Sequence, residues 1–174
     1  MSDVSALNQG QIIAMLGAAS LTLQSNLHGL SGRVLTWHPE PTAWCIQQVL
    51  GHVIETEQTG FAGRIRTMLE RSDPHLAASQ PLARVLTRRD CERDAAELLD
   101  EFVTLRTGSI TFVEGLRDVD LVRGGWHPDI GYVLVVDLLH EWVYHDHDHI
   151  RQMMANVQRY LWPHLGSTQK FYGA

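Results

Sequence analysis

The stretch YHDHDHIRQM, Tyr144 to Met153, sets three histidines at every second position with aspartates between them. On a strand, His145, His147 and His149 would share one face. On a helix only His145 and His149 do, one turn apart, and His147 points away. Which period holds decides the fold class. The flanking residues answer it: from about Tyr132 to Leu161 apolar positions recur at helical spacing, between the loop RGGWHPDIG and Pro163.

Three further segments carry the same period. The first runs from about Asn8 to Leu27, with Ile12, Leu16, Ala19 and Leu23 on one face. The second runs from about Trp44 to Glu70, after WHPEPTAW, whose Pro39 and Pro41 exclude a continuous helix. The third runs from about Arg88 to Leu116, where Thr87 and Asp90 offer a T-x-x-D capping pattern. No alternation is long enough for a sheet, so the expected class is all-α, a four-helix bundle. The link of about residues 71 to 87 can extend to about 55 Å at ~3.3 Å per residue, against about 40 Å for a ~27-residue helix. It is long enough to be a crossover, which would leave helices two and three parallel.

A length of 174 residues, 44% hydrophobic and 20% charged, fits one domain spanning 1–174. The net charge of −6, from 14 basic and 20 acidic residues, comes without a long Lys/Arg run, so no nucleic-acid partner is expected. The apolar stretch from Ile12 follows a segment without Lys or Arg and is too short to span a bilayer, so neither a signal peptide nor a membrane partner is expected. Cys45 and Cys91 lack CxxC spacing, which argues against a disulfide framework and for a cytoplasmic home. Core or capping positions suit them.

As an i, i+4 pair, His145 and His149 stand close enough to chelate one divalent metal. Their face also carries Leu138, Glu141, Trp142, Asp148, Gln152, Met153 and Asn156. By itself an H-x-x-x-H pair is more often incidental than a metal site. A third donor would change that, and His52 is a candidate at the edge of the stripe Ile46, Val49, Leu50 and Val53. A lone histidine there is usually a hydrogen-bonded core residue, and periodicity does not decide between the two.

WHPEPTAWCIQQVLGHVIETEQ in the first third, paired with LLHEWVYHDHDHIRQM near the end, resembles the DinB-like superfamily from about Trp37 to Met154. That family carries W-S-x-x-x-x-x-G-H-L-x-x-x-E after helix one and H-x-x-x-H-x-x-Q on the last helix. The resemblance implies the DinB/YfiT-like bundle with a crossover between helices two and three, and a divalent metal held by His52, His145 and His149, with Gln152 at the glutamine position. Cys45 departs from the family's frequent serine, so a weaker helix cap, or a substitute from Thr42, is expected.

Three imidazoles would leave coordination positions open, the pattern of a catalytic site. The family's bacillithiol S-transferases and mycothiol-dependent maleylpyruvate isomerases imply a metal-dependent enzyme of the thiol S-transferase type, with a small-molecule thiol and an electrophile as partners. Nickel, zinc, manganese and iron all accept imidazole. Glu141 or Asp148 is placed to accept a ligand's other ring N–H. Because ligation needs neutral imidazole, affinity should fall as pH drops through about 6.5. A non-catalytic metal-binding protein and a stress-response bundle are the alternatives. A second apolar stripe on the last helix, Val136, Val143, Ile150 and Val157, suggests a homodimer.

Overall fold

The computed structural model describes residues 6–78 and 81–173. Helix α1, Gln9–Leu27, is opened by a reciprocal cap: Asn8 Oδ1 accepts from Gln11 N–H at 2.9 Å and Gln11 Oε1 accepts from Asn8 N–H at 3.0 Å. A single turn, α2 (Gly32–Leu35), leads through the proline loop to α3, Ile46–Glu55. α3 continues through a π-helical turn, Thr56–Ala62, into α4, Gly63–Glu70, and the three make the second long rod. At its start Gln48 Oε1 accepts from Cys45 N–H at 3.0 Å, so Gln48 and not Thr42 closes the helix entry.

The chain then passes through α5 (Pro81–Arg88) and a 3-10 turn (Asp90–Glu92) to α6, Ala95–Glu114. A short α7 (Asp118–Leu121) precedes the antiparallel hairpin of β1 (Gly124–His127) and β2 (Gly131–Leu134). From the hairpin the last rod, α8, runs Val135–Leu161. None of these helices is long and apolar enough to cross a membrane.

Two apolar clusters show how the rods run. One joins Ile12 and Leu16 of α1 with Ile65 and Met68 of α4, Val113 of α6, and Leu138 and Trp142 of α8. The other joins Leu23 and Leu27 with Val49, Leu50 and Val53 of α3, Leu98 and Phe102 of α6, and Met153 of α8. α1 and α8 therefore climb from the first cluster to the second, while the second rod and α6 both descend. Helices two and three are parallel, and the segment between them crosses back over the length of the bundle.

The crossover ends later and is more structured than the sequence suggests: the second rod stops at Glu70 as expected, but the third begins at Ala95 rather than at about Arg88. Thr87 does not cap the third rod; its hydroxyl donates to Arg84 O at 2.9 Å within α5. The chain breaks at Arg89, a non-glycine residue at φ 53, and restarts where Asp94 Oδ1 accepts from Ala96 and Glu97 N–H at 2.9 and 3.1 Å. Asp90 is fully buried and is gripped by Arg88, through Nε and a terminal nitrogen at 2.9 and 3.1 Å. Gln47 Nε2 donates to the carbonyls of Asp90 and Arg93, both at 2.9 Å. A Cβ on Gly51 would lie 1.8 Å from Asp90 Oδ2, so only glycine lets this turn seat on α3.

The hairpin is also a departure from the helical reading. Each strand holds four residues, too few for alternation to register. It anchors the start of the crossover: Leu76 N–H donates to Trp126 O, and Trp126 N–H to Pro74 O, both at 2.8 Å. The second stripe of α8 turns inward as well. Val143 belongs to the first apolar cluster, and Ile150 and Val157 pack on the second.

Candidate metal centre

His52, in the second turn of α3, meets His145 and His149 near the middle of the antiparallel α8. His52 Nε2 and His145 Nε2 are 3.2 Å apart, and the His149 ring centroid lies 4.7 Å from that of His52 and 4.3 Å from that of His145. One nitrogen from each ring lies within 4.8 Å of the other two, so the trio can hold one metal ion. The spacing suits that use. Two nitrogens bound at about 2.1 Å stand about 3.0 Å apart at a right angle and about 3.4 Å apart at a tetrahedral angle, and the Nε2 pair falls between.

The proton positions suit it too. His149 Nδ1 lies 2.8 Å from Gln152 Oε1, an acceptor, so Nδ1 carries the hydrogen and Nε2 keeps its lone pair for the centre. Burial, then the neighbouring His149, pushes the His52 pKa down to about 4. Burial, followed by His149, His52 and Arg106, pushes His145 down to about 3. Both rings are therefore neutral at pH 7, and the threshold for proton competition at these two lies well below the 6.5 of free imidazole. Among the described residues, His52 Nδ1 and His145 Nδ1 are buried without a hydrogen-bond partner.

The outer partners divide. Gln152 sits against His149 as the sequence pattern suggests. Asp148 does not reach a ring: it accepts from Arg151 at 2.6 Å on the surface. Glu141 is exposed, and its charge acts on Arg64. His147 is exposed and turned from the trio, with Nδ1 donating to Val143 O at 2.8 Å.

Beneath the trio lies a buried charged layer that the sequence reading passed over. Arg106 of α6 is 1% exposed, Glu57 1% and Asp146 2%. The guanidinium donates to Glu57 at 2.9 and 2.7 Å, to Asp146 at 2.6 and 3.0 Å, and to Leu16 O at 2.9 Å, which uses all five N–H groups. Trp142 Nε1 also donates to Glu57, at Oε2, at 3.2 Å. Burial holds Asp146 above the usual carboxylate range even though Arg106 pulls the other way. One signal could have exposed the layer: Arg106 occupies a core position of the stripe Leu98, Phe102, Ser109 and Val113.

Aromatic rings wall the centre. Trp44 lies 5.3 Å from the His52 ring, Phe61 meets His145 at 5.2 Å, and Phe61 stacks on Trp142 at 5.0 Å. On one side a cleft of about 240 Å³ opens between His52, Thr56, Thr59, Arg64, His75 and Arg84. On the other a wider groove of about 520 Å³ is bordered by Trp44, His149, Gln152 and Arg159.

The model of the DinB superfamily matches residues 18–153 of this chain. The chain belongs to the DinB superfamily. The fold of this DinB protein is similar to that of YfiT from Bacillus subtilis, with a TM-score of 0.79 over 93% of each chain at 19% identity. YfiT is described as "a probable metal-dependent hydrolase with an unusual four-helix bundle topology". It is also similar to TT2238, a four-helix bundle protein, with a TM-score of 0.64 at 18% identity, over 85% of this chain and 99% of that one. A comparison with curated proteins finds no match.

Proposed function

We propose that this DinB protein is a divalent-metal-dependent enzyme of the thiol S-transferase type, holding its ion on His52, His145 and His149 and joining a low-molecular-weight thiol to a small electrophile. The observation that carries the reading is the convergence of three imidazoles beside a cleft that reaches His52. An ion on three protein donors has open positions, and when bound it supplies Lewis-acid stabilisation of a thiolate.

The chain's own groups would do the rest. Gln152 fixes the His149 tautomer and so aims its lone pair. The Glu57, Arg106 and Asp146 layer holds α8 against the second rod and keeps the two ligand-bearing helices in register. Arg64 and Arg84 border the cleft, where guanidinium groups suit the carboxylates of a small anionic thiol. The aromatic walls limit water around the rings.

The test uses reduced protein purified without a histidine tag and loaded in turn with nickel, zinc, manganese or iron. Incubated with panels of small thiols and alkyl or aryl electrophiles, it should consume thiol only when loaded, and His145→Ala should abolish the turnover. A second reading, metal-dependent hydrolysis, is favoured by the likeness to YfiT. Thiol-independent cleavage of ester or amide panels, without thiol consumption, would replace the first reading with the second. Inactivity on every panel despite bound metal would favour a non-catalytic metal-binding or stress-response bundle.

A further inference from the structure

A second cluster of donors lies at the mouth of α3, and none of its members belongs to the histidine centre. His38 comes from the proline loop, Cys45 from the residue that opens α3, and Cys91 from the 3-10 turn at the end of the crossover. One donor atom from each lies within 4.8 Å of the other two. Cys91 Sγ is 3.9 Å from His38 Nε2. The separation between nitrogen and sulfur on one tetrahedral zinc, bound at about 2.0 and 2.3 Å, is about 3.5 Å. A shift of a few tenths of an ångström would close the difference.

Each donor is aimed by something else. His38 Nδ1 donates to Ala43 O at 2.8 Å, which fixes the tautomer and leaves the Nε2 lone pair turned toward sulfur. Cys45 is fully buried at the N-cap of α3, held in place as the helix opens. Cys91 rides on a turn clamped by Gln47 and Arg88. Cys91 is not arranged as a nucleophile: burial, helped by Cys45 and Asp90, pushes its thiol up to about 12, the opposite of a reactive cysteine. Two sulfurs and an imidazole make a soft donor set with a preference for zinc-like ions over calcium or magnesium.

We infer that His38, Cys45 and Cys91 form a second site, for a thiophilic divalent cation of the zinc type, with solvent in the remaining position beside the exposed His38. Its ion clamps the entry loop of the second rod to the end of the crossover. That loop carries Trp44, whose ring walls the histidine centre and whose carbonyl accepts from Asn156 Nδ2 at 2.8 Å. The clamp thus braces one wall of the first site without sharing a ligand with it.

Cadmium is the probe, because thiolate-to-cadmium charge transfer absorbs in the ultraviolet and the histidine centre contains no sulfur. Reduced, tag-free protein titrated with cadmium should develop that band and saturate at one thiolate-bound ion per chain. Cys91→Ser should lose most of the band. His38→Ala, a change at an exposed loop residue, should keep it but weaken binding about tenfold or more. His145→Ala should leave the band intact, so failure of the histidine centre and failure of this site are separable. No band in protein whose two thiols titrate as free would overturn the inference, as would a band unchanged in both His38→Ala and Cys91→Ser, or a Cys45–Cys91 disulfide that resists mild reductant.

Discussion

His52 and His145 are kept neutral by burial, and neutrality has a measurable consequence. In the unfolded chain each ring takes a proton near pH 6.5, whereas in the fold they refuse it until about 4 and about 3. Between those limits the unfolded state binds more protons, so stability rises with pH and is lost on acidification. Metal-free protein should lose up to about 1.4 kcal/mol per histidine for each pH unit below 6.5. Urea melts at pH 7.5 and pH 5 check this, and the pH dependence should shrink in His145→Gln. Equal slopes in the two proteins would show that His145 is not buried neutral. At this scale the i, i+4 pair was legible from spacing alone. His52 was not: it stands at the edge of a core stripe, and only its pairing with the last helix in a family pattern singled it out. Glu57, Arg106 and Asp146 were missed because charge at a core position reads as a surface residue until its partners, 49 and 40 residues from Arg106, are known.

The second rod shows how an element can be legible as a helix while its details are not. Its period is clear from Ile46 to Glu70, yet the turn Thr56–Ala62 is wound as a π-helix, which turns Glu57 into the core and brings Phe61 against Trp142. Nothing in the apolar spacing marks that one turn. The break between α5 and α6 was hidden for a different reason: it is set by Asp90 docking in the space above Gly51, a contact between segments far apart in sequence. That contact carries a prediction. Gly51→Ala places a methyl on the Asp90 carboxylate and should destabilise the protein by about 1–3 kcal/mol, as overpacked cores do. Denaturant melts measure it. The double variant Gly51→Ala with Asp90→Ala should show less than the sum of the two single losses, and strict additivity would contradict the docking contact.

Across the whole molecule, Arg106 is the one described side chain that bonds to all three of the other rods: Leu16 on α1, Glu57 on the second and Asp146 on α8. It ties the bundle's unusual order of rods together at the level of the histidine centre. Truncating one member of a buried ion network leaves uncompensated charge, so Arg106→Ala should cost about 3–5 kcal/mol. A thermal melt within about 1 kcal/mol of the parent would show the network to be dispensable. The bundle itself was foreseeable, since four periods and one long link admit few arrangements. The hairpin and the exact path of the crossover were not, because both depend on tertiary contacts such as the pairing of His75 with Trp126.

His52 and His145, 93 positions apart in sequence, meet with His149 in a group that can hold one ion. The direct measurement is the metal content of tag-free protein after loading and gel filtration, by elemental analysis, for His145→Ala and His147→Ala side by side. His145→Ala should lose the ion held by the histidine centre, and His147→Ala, altered on the outward face of the same helix, should keep it. Equal retention in the two variants, or loss that follows His147, would contradict the account.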